Sequence, residues 1–427
     1  MQKILPLIGL LAIGHGAFAQ SIDKIINAKE VDRIERTLSA DDMEGRRTFT
    51  KGIDKAADFI AAEFKKAGIQ PLKGDSYFQD FAMLTGKFLN AKGVINGKPL
   101  NEKNIVALTS SPSLKADQNA GYEKVRIESR EEFYKVITTL MSSGKNYLVT
   151  VNDTLTRNFN MLKRFRESFF ESPGNIIAML TNETPDTWSA EINQEISRSP
   201  LKNVVGMLPG KKKKDEYVIF SGHYDHLGIG KPNAAGDSIF NGANDDASGI
   251  TAVIMLANYY AQMKNNERTI IFAAFTAEEI GGFGSQYFSK QFDPAKVMAM
   301  FNIEMIGTES KWGTNSAYIT GYEKTDMGKI LEKNLEGSAF KFYPDPYPDQ
   351  QLFYRSDNAT LARQGVPAHT ISTSKMDSEK YYHTLDDEIE TLDMKNMAEI
   401  IKSIAVSAKS IVAGKDAPSR VDTKQLR

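Results

Sequence analysis

The sequence predicts an α/β fold with an open, mostly parallel central sheet, helices on both faces and an inserted segment. From Asn203 onward, apolar runs of strand length alternate with stretches of helical period, the pattern of strands joined by crossover helices. Residues 100–200 break that pattern, being charged, mixed in period and poor in glycine motifs. Acidic and histidine residues cluster just past the ends of the apolar runs, which is where ligands gather in such folds.

In chain order, residues 20–47 read as polar helix ending in M-E-G-R-R. Residues 52–67 form an amphipathic helix, with Ala56, Ile60, Phe64 and Ala67 at helical spacing and Gly68 as its stop. Turn signals follow at Pro71 and Gly74. Inside the inserted segment, 146–151 and 175–180 are short strand candidates. Y-V-I-F-S-G (217–222) suits a buried strand and 247–263 a helix. T-I-I-F-A-A-F (269–275), V-M-A-M-F-N (298–303) and V-P-A-H-T-I-S (366–372) are further buried strands, and 393–413 closes the chain as a long amphipathic helix. No internal repeat is visible.

The 427 residues are 41% hydrophobic and 25% charged, an ordinary globular balance that excludes disorder, collagen and coiled coil. A net charge of -1 gives no footprint for nucleic acid. The lysines at 211–214 read as a solvated turn. At the N-terminus, Lys3, an apolar run over 4–13 and Ala17-Phe18-Ala19 before Gln20 have the layout of a secretory signal peptide. That run is too short for a resident bilayer span. The expectation is an exported protein, periplasmic or secreted. There are no cysteines, which excludes disulfides, thiolate catalysis, cysteine zinc sites and lipid attachment at a lipoprotein-type cleavage site. The expected division is a signal peptide over 1–19, the N-terminal part of a main domain over 20–99, an insertion or small subdomain over 100–195, and a metal-binding part over 196–427.

After such a leader only His223, His226, His369 and His383 remain. His223 directly follows a buried strand in S-G-H-Y-D-H, and Asp225 stands where it could accept the other ring N–H and set the tautomer. N-G-A-N-D-D-A-S-G (241–249) puts two aspartates between glycines just before a helix. Asp246 could cap that helix, but a cap does not need two carboxylates, whereas a carboxylate bridging two metals does need a tightly specified loop. Glu278 and Glu279 end another buried strand, where two adjacent acids repel unless a cation or proton intervenes. A general base beside a metal ligand resolves that conflict. Glu304 ends a third strand, in F-N-I-E-M-I-G. In Y-Y-H-T-L-D-D, His383 lies in a loop and Tyr382 offers a phenol donor for an oxyanion. Two histidines and three carboxylates, one of them shared, give each of two metals one His and two carboxylates. This set suits zinc, with cobalt or manganese as substitutes.

These motifs resemble metallopeptidase family twenty-eight of clan MH, the di-zinc aminopeptidase and glutamate-carboxypeptidase type. L-S-A-D-D-M-E-G-R-R, Y-F-Q-D-F (77–81) and R-S-D-N-A-T-L-A-R-Q-G-V-P (355–367) are similar to the same family. The likeness covers about 30–410 and is thinnest over 100–195. It implies a zinc exopeptidase fold with a mixed, mostly parallel sheet. It also implies that His223 and Glu304 hold one zinc, Glu279 and His383 the other, and that Asp245 bridges them. Glu278 becomes the general base, Asp225 the partner that orients His223, and Tyr382 the oxyanion donor. The Asp245–Asp246 peptide is a candidate for the cis form. The chain departs from many members in carrying Glu304 for Asp, and Asn358 for the His of an S-D-H motif.

The leading expectation is an aminopeptidase acting on peptide substrates, with no nucleic-acid partner and no stable membrane anchor; oligomeric state is not specified by the sequence. Three alternatives stand beside it. A glutamate-type carboxypeptidase or dipeptidase needs a basic pocket, for which Arg355 and Arg363 are candidates. A glutaminyl cyclase uses one zinc. A silent binding module on the same scaffold fits poorly with an intact acid set, since unpaired carboxylates cost stability.

Overall fold

The computed structural model describes residues 22–426, so the expected leader lies outside the described residues. Among the described residues no helix is long and apolar enough to cross a membrane. The chain divides into two compact units: one runs up to Asp80 and resumes at Leu201, and the other is Phe81–Pro200.

In the first unit, helices α1 (Ala28–Leu38) and α2 (Lys51–Ala67) come first, and α2 stops at Gly68 in the left-handed conformation (φ 78°), as the glycine predicts. The main strands of its large sheet are β1 (the 201–208 end of Trp188–Leu208), β2 (Lys213–His223), β3 (Arg268–Phe275), β4 (Val297–Ile303), β5 (Ser316–Ile319), β6 (Lys341–Pro344) and β7 (Ala368–Ser372). They lie in the order β6-β5-β7-β4-β2-β3-β1. The middle strands are parallel, β2 pairing with β3 and β4, and β4 with β7. The antiparallel pairings are β1 on β3 and β5 on β7, so the sheet is mixed.

The middle strands are apolar along their length because both faces are covered. On one face α3 (Ser248–Met263) is buried almost all round, packing on β2, on α1 and α2, and on α4 (Met394–Ser407). Phe220 stacks on Phe301 there, with ring centroids 4.9 Å apart. On the other face Ile219, Ile271, Met300, Phe288 and Leu361 form a separate core. The sequence pattern marks the middle strands but neither the 201–208 strand nor β5 and β6. β6 is short and alternates exposed and buried positions only weakly, so it carries little periodic signal. The closing helix, expected over 393–413, is interrupted at Ala408, and a short turn, Lys409–Val412, follows.

The second unit has its own four-stranded sheet, in the order Ile105–Leu108, Ile176–Leu180, Tyr147–Val151, Glu123–Ile127. The helix Arg130–Ser143 begins with a capping box between Ser129 and Glu132, and buries Phe133 and Ile137 against Val149 and Val151. The strand candidates at 146–151 and 175–180 coincide with two of these strands. The unit begins earlier than residue 100, because the strand Phe78–Ile95 turns back to pair with Lys98–Leu100.

Candidate metal centre

Parallel strands present their carboxyl ends along one edge. His223 is the last residue of β2, Glu278 and Glu279 follow β3, and Glu304 follows β4. Asp245 lies in the irregular turn before α3, and its peptide to Asp246 is cis. His383 comes from the loop after β7. These side chains converge in two groups, His223 with Asp245 and Glu304, and His226 with Asp245, Glu279 and His383; within each, the donor atoms lie within 4.8 Å of one another. His223 Nε2 is 3.2 Å from Asp245 Oδ1 and 3.5 Å from Glu304 Oε1. His383 Nε2 is 3.2 Å from Asp245 Oδ2 and 3.1 Å from Glu279 Oε1. Asp245 thus turns one oxygen to each group.

Buried side chains tie the loops together through main-chain groups. Asp246 accepts the N–H of His223 (3.2 Å), Gly249 (3.0 Å) and Met305 (3.1 Å). Asp387 accepts from Asn244 (2.8 Å) and Asp245 (3.0 Å), joining the His383 loop to the bridging turn. Arg46, fully buried, donates to the carbonyls of Leu38, Tyr224, Asn241 and Gly242. It holds the segment after His223 and the segment before Asp245 from a third part of the chain. Ala277, Met305 and His383 sit at φ 59°, 54° and 57°, a region costly for non-glycine residues and retained where the surroundings over-determine the backbone.

The donor set suits a metal on two counts. His223 Nε2 is buried and lacks a hydrogen-bonding partner among the described residues, yet it faces two carboxylates, while Nδ1 is 3.1 Å from the Asp225 carbonyl. This is the arrangement of a ligating imidazole steadied from behind. The charges also demand a cation. Beside Asp245 and Glu279, His383 is raised to about 10. Burial opposes ionisation of Glu279, but contacts with His226 and His383 hold it down to about 2. Asp245 is likewise buried, and is held below the usual carboxylate range by His223 and His383. Protons on the imidazoles answer the acids; zinc ions would answer the same charge and suit these N/O donors.

The other expected residues take the following places. Glu278 lines the same cavity and is partly buried; burial pushes its carboxyl up, His223 opposes this, and Asp357, Glu304 and Glu279 add to it. Tyr382 stacks on His383, with centroids 3.9 Å apart, and burial pushes its phenol up, so the hydroxyl stays protonated. Asp225 differs from expectation. Its carboxylate is 3.9 Å from His223 Nδ1 and accepts instead from the N–H of Glu278 (3.0 Å) and Glu279 (3.3 Å) and from Thr48 Oγ1 (3.2 Å). The ring is met instead by the Asp225 main-chain oxygen, because the carboxylate is engaged by those three donors. His369 is a core histidine bonded to Thr325 and to the Thr320 carbonyl, and burial lowers it to about 4. His226, given no role from sequence, is buried against Glu279. The cavity is open to solvent and is walled by Met305, Tyr318, Leu352, Met376, Tyr382 and Arg355; Arg363 is exposed and does not line it.

Comparison with known proteins agrees with the resemblance. Residues 203–408 match the model of Peptidase family M28. A probable leucine aminopeptidase of Trichophyton verrucosum (strain HKI 0517) is 25% identical over 268 residues, covering 58% of this chain and 70% of that protein. The aminopeptidase from Aneurinibacillus sp. strain AM-1 superposes with a TM-score of 0.53 at 16% identity, over 92% of this chain and 95% of that one. The Porphyromonas gingivalis glutaminyl cyclase gives 0.50 at 11% identity, over 91% and 99%. The structural likenesses establish the fold, which is common to both chemistries.

Proposed function

We propose that this protein, whose residues 203–408 match the model of Peptidase family M28, is a di-zinc aminopeptidase that removes N-terminal residues from peptides. The observation that carries the reading is Asp245, with one oxygen toward His223 and Glu304 and the other toward Glu279 and His383. His223 and Glu304 would hold one zinc, Glu279 and His383 the other, and Asp245 both. Bound there, zinc would supply Lewis-acid polarisation of the scissile carbonyl and lower the pKa of water. Glu278, raised by burial, is suited to take a proton from the attacking water and pass it to the leaving amine. The Tyr382 hydroxyl stands ready to donate to the carbonyl oxygen as negative charge develops on it. Met305, Leu352, Met376 and Tyr318 supply apolar wall for a substrate side chain. The leader-like layout before Gln20 supports action after export.

Arg355 on the cavity wall favours one second reading, recognition of a substrate carboxylate by a carboxypeptidase or dipeptidase. Zinc content per chain, measured with hydrolysis of free and N-blocked aminoacyl nitroanilides, tests both readings. Close to two zincs, with cleavage of free but not blocked substrates, is the expected result. Blocked substrates with a free C-terminal carboxylate, if cleaved preferentially, would establish the second reading instead. One zinc with no hydrolysis of either class points to the cyclase chemistry. Glu278→Gln should lower kcat by about 10²- to 10⁴-fold while zinc stays bound, and an active variant removes Glu278 as the base.

A further inference from the structure

His226 is a buried histidine of the centre to which the proposed mechanism gives no task. Its Nδ1 lies 3.0 Å from Glu279 Oε1 and 3.9 Å from Asp245 Oδ2. Its Nε2 is buried and meets no hydrogen-bonding partner among the described residues. The ring rests on Gly242, where a Cβ would come within 2.5 Å of His226 Cδ2 and 2.6 Å of Cγ, so the glycine makes the space that the imidazole fills. The main chain is fixed as well, since His226 N donates to the Arg46 carbonyl at 3.2 Å.

The two histidines of H-Y-D-H face the centre in opposite ways. His223 has a main-chain acceptor behind Nδ1 and turns a bare Nε2 to the carboxylates, as ligating imidazoles do. His226 turns Nδ1 to the carboxylates and, among the described residues, has no hydrogen-bonding partner at Nε2. Were Nδ1 to ligate a metal, the ring proton would sit on Nε2 as a buried donor without an acceptor, which folded proteins avoid. With the proton on Nδ1, the ring donates to Glu279 Oε1 and only a lone pair is left unmet.

We infer that His226 is a positioning residue: it acts as an Nδ1–H donor that fixes the Glu279 carboxylate, and does not itself ligate the metal. The inference rests on the di-zinc reading and extends it to a residue behind one of its ligands.

The tests compare His226→Asn with His226→Gln in the full chain, using chelator competition to read each zinc affinity and circular dichroism to match folding. An asparagine amide places its nitrogen near Nδ1, and a glutamine amide near Nε2. The expected result is two zincs in the wild type, near-native affinity in His226→Asn, and a loss of about 10- to 100-fold for one zinc only in His226→Gln. A wild type that binds fewer than two zincs defeats the di-zinc reading itself. A wild type that binds two, with equal losses in both variants, overturns the positioning role alone. If a variant misfolds, nitrogen NMR of histidine-labelled, zinc-loaded wild type tests the same point without a substitution. A protonated Nδ1 at His226 is expected, and a metal-shifted Nδ1 there overturns the inference.

Discussion

The two groups of side chains that share Asp245 are built differently. His223 and Glu304 stand at the ends of adjacent parallel strands, and His223 has a side chain only 1% exposed. Glu279 and His383 come from loops, and the His383 side chain is 34% exposed. The sheet sets the spacing of the first pair, because the hydrogen-bond register of β2 and β4 fixes how far apart their ends lie. Nothing of that kind spaces the second pair. It depends on tethers: Asp387 from the His383 loop, Asp225 beneath Glu279, and His226 against the Glu279 carboxylate. A ligand on a strand end is placed by the fold, while a ligand on a loop must be placed by its neighbours. The first group should therefore be the firmer and the second the more exchangeable.

The largest effect should come from removing the tether of the firm group. Asp246→Ala strands three buried main-chain donors, those of His223, Gly249 and Met305. Each unmet donor costs about 1–3 kcal/mol, so the sum is several kcal/mol, comparable with the whole margin of an ordinary domain. Urea unfolding should show a sharply lowered midpoint, and the folded fraction should have lost zinc from the His223 group. A variant with the native midpoint and full zinc would mean that the strand ends hold their spacing without this carboxylate, and the distinction between a sheet-placed and a tethered group would sharpen.

Removing metal in stages sharpens the same comparison with no substitution. As chelator is titrated in, zinc held with His383 should leave first and zinc held with His223 later, read as two phases of release. Loss of both removes the binding free energy and leaves Asp245, Glu279 and Glu304 with imidazole protons alone as counter-charge, so the apo protein should melt roughly 5–15 °C lower than protein loaded at a hundred to a thousand times Kd. Release in a single phase would show that the shared Asp245 couples the groups too tightly for their separate construction to matter.

What can be read in advance follows from the same contrast. The strands β2, β3, β4 and β7 and the helix α3 are apolar runs closed by glycine or polar residues, so their ends, and with them His223, Asp245, Glu279 and Glu304, are visible as places where polar groups interrupt burial. Tyr382 and His383 stand out by residue type and by resemblance. The tethers are not visible in this way. Arg46 meets Tyr224 across 178 residues, and no local pattern reports such a contact. M-E-G-R-R stands out only through its likeness to a family. The H-x-D spacing makes Asp225 a partner for the ring, but spacing cannot distinguish a side-chain oxygen from a main-chain oxygen of the same residue. His226 lies inside the H-Y-D-H motif; what gives it a task is Gly242, 16 positions on, and the direction of its ring nitrogens. β5 and β6 escape because short strands near a sheet edge carry little periodicity.

The smallest expected effect lies under the loop-built group. Thr48 Oγ1 donates to Asp225 Oδ2 at 3.2 Å, and Asp225 in turn receives the N–H of Glu278 and Glu279. Thr48→Val keeps the shape and deletes one donor to a buried carboxylate. The two main-chain donors remain, so the carboxylate is not stranded and the cost in stability should be about 1–2 kcal/mol. The consequence for chemistry depends on how far the Glu278–Glu279 turn relies on Asp225 being fixed. If it does, kcat should fall by about 2- to 10-fold with zinc content unchanged, since a slight misplacement of the base costs rate before it costs metal. If kcat holds while the melting temperature drops, Asp225 is already fixed by its two N–H bonds, and the loop-built group is stiffer than its exposure implies.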